Sequence, residues 1–95
     1  MAYKLFVQGR EGAFSDLRSV AGSLKSSLSP EPIEFTVQAY GTDGNFAYAF
    51  GGRARLRSDA MSSEITYNGW TTDSGGAKAD MVALERYLNL LLIVG

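Results

Sequence analysis

The chain has 95 residues, a length that fits one globular domain spanning residues 1–95. Apolar residues make up 45% of it and charged residues 20%, and nine basic against ten acidic side chains leave a net charge of −1. This balance argues against a nucleic-acid binder that relies on bulk charge. The chain contains neither Cys nor His, which excludes disulfides, zinc-finger ligation and Ser-His or Cys-His catalysis.

The first third of the chain predicts a strand, a turn and a helix. Polar and apolar residues alternate over Tyr3–Gln8, as in a strand, and nearby glycines predict a turn at Arg10–Ala13. The first helix is expected to begin at Ser15, whose hydroxyl can cap the first turn. Its apolar stripe, at helical spacing, consists of Leu17, Val20, Ala21, Leu24 and Leu28.

Three strands and a second helix are predicted in the rest of the chain. Alternation of apolar and polar residues indicates the strands, and Asn68-Gly69 predicts a bulge because Trp70 departs from the alternation. An apolar stripe of helical spacing indicates the helix. The predicted strands are Ile33–Tyr40, Asn45–Arg57 and Glu64–Trp70, and the helix is Ala77–Leu92 with Met81, Leu84, Leu88 and Leu91 facing the core.

A tight turn between the second and third predicted strands sets their register. Asp43-Gly44 is typical of a two-residue type I′ hairpin turn. With these residues at the centre, Val37 faces Phe50, and the apolar faces of both strands coincide without adjustment. We expect both side chains to be buried.

The element order is therefore β-α-β-β-β-α, and the predicted fold class is α+β. A right-handed crossover would make the first two strands parallel, which gives a four-stranded mixed sheet of order 1-2-3-4 with both helices on one face. This order resembles that of small ribosome-hibernation domains and, less closely, double-stranded-RNA-binding domains in topology, although no sequence motif of either family occurs. Fold analogy alone does not carry function.

A row of three arginines is the first candidate for function. Arg53, Arg55 and Arg57 share one sheet face, about 6–7 Å apart along the strand. The row is either a cross-strand charge ladder, with Glu34 facing Arg53 and Glu64 facing Arg57, or a surface that grips phosphates or carboxylates of a partner. Arg55 has no acidic partner in this pairing, so it is the strongest candidate for an outside contact.

Exposed aromatic residues form the second candidate. Tyr40, Phe6 and Trp70 fall on the strand positions that face away from the core, and Gln38 shares that face with Tyr40. The alternative is that these aromatics only cover the rim of the sheet, or that a bulge returns Trp70 to the core. Tyr, Trp and Arg are enriched in binding hot spots. The predicted partner-binding residues are Arg53, Arg55, Arg57, Tyr40, Gln38 and Trp70.

Two further segments carry weaker signals. The glycine-rich stretch 71–76 before the second helix suits helix capping by Asp73 or Ser74, with phosphate binding as the alternative. The uncharged C-terminal run 90–95 predicts burial within the monomer, with a homodimer contact or a fifth edge strand as alternatives. This run is far shorter than the roughly 20 residues of a membrane span, and no signal peptide is visible, so we expect a cytoplasmic protein.

No arrangement of residues predicts an enzyme, a metal site or a cofactor. The outline of a long hairpin followed by a helix is similar to ribonuclease-H-like enzymes, but Ile33–Tyr40 supplies only Glu34 as an acidic metal ligand. We therefore expect a non-enzymatic module that binds a protein. In size and composition it looks like phage-encoded inhibitors of host complexes, including anti-CRISPR proteins. The alternative is an RNA- or ribosome-associated domain that uses Arg53, Arg55 and Arg57.

Overall fold

The computed structural model describes residues 2–58, 63–72 and 75–94. Within these ranges the elements are β1 (Ala2–Val7), β2 (Arg10–Phe14), α1 (Leu17–Ser27), β3 (Ile33–Tyr40), β4 (Phe46–Ser58), β5 (Ser63–Thr71) and α2 (Gly76–Val94). The strands form one antiparallel sheet of order β2-β1-β3-β4-β5. The predicted α+β class with two helices is confirmed, whereas the four-stranded mixed sheet is wrong.

An additional strand lies between β1 and α1. Residues Arg10–Ala13, predicted as a turn, belong to β2, and the turn is Gln8-Gly9. Both turn residues are left-handed, with φ of 51° at Gln8 and 75° at Gly9, as a type I′ turn requires. Gln rarely occupies such a position, so the sequence pattern gave a weak hairpin signal here.

The hairpin also changes the direction of β1 relative to β3. The two strands are neighbours as expected, but they are antiparallel, with Leu5 facing Val37. The right-handed crossover rule concerns a strand joined through a helix to a parallel strand. Here β2 reverses the chain before α1 begins, so β1 and β3 run in opposite directions. The order of the four predicted strands is retained, and β2 adds an edge.

The predicted register of β3 and β4 is confirmed along most of the hairpin. Val37 faces Phe50, and both side chains are fully buried. The turn itself differs from the expected type I′, because only Gly44 has a positive φ, of 82°, and its N–H donates to Gly41 O at 3.0 Å. The Gly41 N–H donates to Asn45 O at 2.9 Å, so the loop consists of the three residues 42–44. It shifts the pairing to Tyr40 with Phe46, which leaves one bulged residue in β4.

The register of β5 against β4 runs without interruption from Ser58 facing Ser63 to Phe50 facing Thr71. The bulge predicted at Asn68-Gly69 is therefore wrong. Trp70 keeps the alternation of the strand and lies on the face away from the helices, where it is 45% exposed.

The helices bury the apolar stripes that the sequence predicts. The N-cap of α1 is Asp16 rather than Ser15, and its carboxylate accepts the Ser19 N–H at 2.8 Å. The alternative of an edge strand in the C-terminal run is wrong, because α2 continues to Val94. The core contains Leu17, Leu24, Leu84 and Leu88 from the predicted stripes, together with Phe35, Val37 and Phe50 of the sheet. Neither helix, over its described residues, has the length and apolar character needed to cross a bilayer.

Candidate protein-binding face

One face of the sheet has no covering element among residues 2–58, 63–72 and 75–94; we call it the open face. The two helices contact each other, and both pack against the opposite face of the sheet, where the core lies. Strand alternation places all six predicted binding residues on the open face: Gln38, Tyr40, Arg53, Arg55, Arg57 and Trp70. The structure therefore brings the arginine row and the aromatic residues onto one surface.

Only part of the arginine row forms the predicted charge ladder. Arg53 donates through Nε and Nη2 to Glu34 Oε1, at 3.0 and 2.9 Å. Arg57 faces Glu64 in the register, but no ion pair joins them, and Glu64 Oε1 instead accepts from Thr66 Oγ1 at 3.4 Å. Arg53 is thus committed to a neighbour, whereas Arg57 is not paired with the carboxylate it faces.

Arg55 lies between these two residues. Its partner across the β4–β5 ladder is Thr66, which carries no charge. Within the described ranges, Arg55 forms no ion pair. A bidentate contact with a carboxylate or phosphate is the chemistry that a guanidinium favours.

Aromatic rings gather at the other end of the open face. The rings of Tyr40 and Phe46 meet edge to face, with centroids 6.0 Å apart, and Phe46 is 54% exposed. The Tyr40 hydroxyl donates to Gln38 Oε1 at 2.6 Å, and the Lys4 ammonium lies 5.3 Å from the Tyr40 ring centroid. These contacts restrain the side chains of Tyr40 and Gln38.

Trp70 forms one wall of a shallow cleft in the middle of the open face. The strand residue that it faces is Gly51, and a Cβ on Gly51 would lie 3.1 Å from Trp70 Cζ2. The indole packs over Gly51, and the Phe35 carbonyl oxygen of β3 is the atom that a Cβ at this position would meet first. The adjoining cleft has a volume of about 490 Å³, and its polar and aromatic lining includes Glu34, Thr36, Arg53, Asn68 and Trp70.

A polar cluster that the sequence reading missed lies on the helix side of the sheet. Tyr3 on β1 and Tyr48 on β4 both donate their hydroxyls to Asp80 Oδ2 on α2, Tyr3 at 3.3 Å. Burial, followed by the charge of Asp80, raises the pKa of Tyr3 to about 12. The sequence contains a signal for this cluster, because Tyr3 and Tyr48 occupy core positions of their strands. A buried tyrosine hydroxyl needs a hydrogen-bond partner. We interpret the cluster as an anchor for α2.

The loop before α2 is fixed to β4 by Thr72. Its hydroxyl accepts the Ala49 N–H and donates to Ala49 O, both at 3.0 Å. The predicted capping residues Asp73 and Ser74 lie outside the described residues. In the C-terminal run, Leu90 is 52% exposed and Leu91 packs against the core, so these two residues are only partly buried within the monomer.

Among the described residues, no three acidic side chains come together as a metal site. Comparisons with protein families, with curated proteins and with solved structures find no match to this chain. The geometry of the open face is therefore the basis for inferring a function.

Proposed function

We propose that this protein is a non-enzymatic module that binds another protein through its open face. One observation carries the proposal: a single uncovered sheet face presents Arg55, Trp70 and Tyr40 along its length. These residue types dominate protein-binding hot spots because each combines a large contact area with a directional polar group. The open face is held rigid by the sheet beneath it, which lowers the entropy cost of binding.

The charge distribution favours a protein partner over RNA. Two of the basic side chains on the open face form ion pairs. Arg53 pairs with Glu34, and Lys4 Nζ lies 3.7 Å from Glu11 Oε1. Phosphate binding requires several uncompensated cations along the path of the backbone. An RNA- or ribosome-associated role would depend mainly on Arg55 and Arg57, and it remains the second candidate function.

A module of this kind acts by occupying a surface of its partner, as an inhibitor does. Inhibition of a host complex by a phage protein of the anti-CRISPR kind would be one instance. The support for that narrower proposal is the small size of the chain and its composition. The open face supports protein binding in general.

The test compares two charge reversals on opposite sides of the molecule. Arg55→Glu changes the open face, and Arg86→Glu changes an exposed position on α2. Partners are captured from the lysate of the expressing cells, with and without nuclease, and the affinity of a purified partner is then measured for each variant. We expect Arg55→Glu to weaken binding about 30-fold or more, since removing a hot-spot arginine typically costs about 2 kcal/mol or more.

Two results would count against the proposal. Full affinity of a folded Arg55→Glu variant, with binding lost in Arg86→Glu, would move the contact to the helices. Capture that disappears after nuclease treatment, together with a steep salt dependence, would favour the RNA-associated alternative. Trp70 is the single tryptophan of the chain, so its emission reports directly whether a partner covers the open face.

A further inference from the structure

The two edges of the sheet differ in how they are protected against pairing with another strand. β2 has five residues and begins with the charged pair Arg10-Glu11. β5 has nine residues, and its register with β4 contains no bulge. It contains no Pro or Lys, and Glu64 is its only charged residue. Natural edge strands are usually short, charged, bulged or covered, so β5 is an unusually permissive edge.

The hydrogen-bond pattern of β4 shows which backbone groups of β5 point outward. The N–H of Leu56 points toward the β3 side, where it donates to Ser29 O at 2.9 Å, and Ala49 O points toward β5, where it accepts the Thr72 N–H at 3.0 Å. Along each strand of an antiparallel ladder, successive residues point their N–H and C=O groups to alternate sides. Arg55 of β4 therefore points toward β5, and its partner Thr66 points back toward β4. The N–H and C=O groups of Ile65, Tyr67 and Gly69 therefore face the free edge.

We propose that the free edge of β5 binds β5 of a second copy of this chain in antiparallel orientation. The outward-facing positions are symmetric about Tyr67, so a twofold axis there pairs Tyr67 with its own equivalent and Ile65 with Gly69 of the second copy. Every outward N–H then meets an outward C=O. A twofold contact needs this self-complementary spacing, and β5 provides it.

The side chains of β5 are compatible with this pairing. Its only charge, Glu64, faces Trp70 of the second copy, and Thr66 faces Asn68, so no like charges meet. The twofold axis is perpendicular to the sheet, which places the helices of both copies on the same side. The two open faces become one continuous surface, with a Trp70 on each side of the seam. This extends the proposed binding face, although the pairing itself does not depend on it.

The register is tested by charging the exposed pair Thr66 and Asn68. In Thr66→Glu/Asn68→Glu, two Glu–Glu pairs oppose each other across the twofold axis, whereas in Thr66→Glu/Asn68→Lys each Glu faces a Lys. In the monomer both positions face arginines of β4, Arg55 and Arg53, so the doubly acidic variant is expected to fold. Sedimentation equilibrium should show wild type at twice 10.2 kDa, with the doubly acidic variant dissociating at least about tenfold more readily.

A disulfide trap tests the same register independently. The chain contains no Cys, so Thr66→Cys/Asn68→Cys introduces the only thiols. The two positions would face each other as a pair without backbone hydrogen bonds, with Cα atoms about 4.5 Å apart, within disulfide range. Oxidised glutathione should convert this variant to a covalent dimer, whereas Thr66→Cys/Gly22→Cys, with its second thiol on the exposed surface of α1, should form none by the same pairing.

A wild-type protein that stays monomeric up to its solubility limit would overturn the inference. So would a dimer that the doubly acidic and the Glu/Lys variants form equally well. Neither measurement involves another protein, and Arg55 lies on β4, whose backbone is separated from the free edge by β5. Failure of this pairing is therefore distinguishable from failure of the proposed function, which is judged by Arg55→Glu.

Discussion

Truncation of Leu88 tests whether α2 is held by core packing. The side chain is fully buried on the sheet side of the helix. Shortening a buried Leu to Ala removes apolar contacts and leaves a cavity, which costs about 2–5 kcal/mol. A domain of this length has a free energy of unfolding of roughly 5–14 kcal/mol. We therefore expect Leu88→Ala to remove a large fraction of the stability and to lower Tm by roughly 4–8 °C for each kcal/mol lost.

Leu90 provides a matched control on the same helix. It is 52% exposed, so Leu90→Ala makes the same chemical change at a position that leaves no cavity. Its expected cost is within about 0.5 kcal/mol. Both variants are measured by urea unfolding, with Trp70 emission and far-ultraviolet circular dichroism as independent probes. Equal losses for the two variants would refute the assigned orientation of α2, because one face could then not be distinguished from the other.

The contacts of Tyr3, Asp16 and Gly51 lead to further predictions. Tyr3 should ionise near pH 12 in a spectrophotometric titration, and stability should fall as the pH rises from 10 toward 12, because the folded state holds this proton more tightly. Asp80→Asn should lower the pKa of Tyr3 without returning it to 10.0, since burial remains; an unchanged value would contradict the role of the charge. Asp16→Ala should destabilise the protein at neutral pH and lose this effect well below pH 3.8, because the Ser19 N–H holds the pKa of the Asp16 carboxyl low. Paired thermal melts of the Asp16 variant and wild type at both pH values check this difference. Gly51→Ala should lower the urea midpoint, since its Cβ would lie 2.3 Å from the Phe35 carbonyl oxygen; an unchanged midpoint would show that the strands separate easily.

Local patterns were sufficient to predict the elements that have strong periodicity. Ile33–Tyr40 has the predicted bounds, and the facing of Val37 and Phe50 follows from alternation on both sides of a glycine turn. The core stripes of both helices were readable for the same reason, because apolar side chains at helical spacing must face a core. The placement of the arginine row and Tyr40 on one face required only the period of a strand.

The remaining features had weak local signals or depended on contacts between segments that are distant along the chain. The Gln8-Gly9 hairpin, with only one glycine to mark it, added β2 and so made β1 antiparallel to β3.

What the sequence by itself determined was therefore the periodic elements and the residues on each of their faces. The tertiary structure decided which side chains are paired and which remain available. Glu34 and Glu64 face arginines in equivalent ways in the sequence pattern, yet of these two only Glu34 forms an ion pair with the arginine it faces. Exposed side chains have several partners of similar energy, so the rotamers and the local neighbours determine which contact forms. Likewise, the meeting of Tyr3 and Tyr48 at Asp80 required the packing of α2 across β1 and β4, which no local pattern encodes.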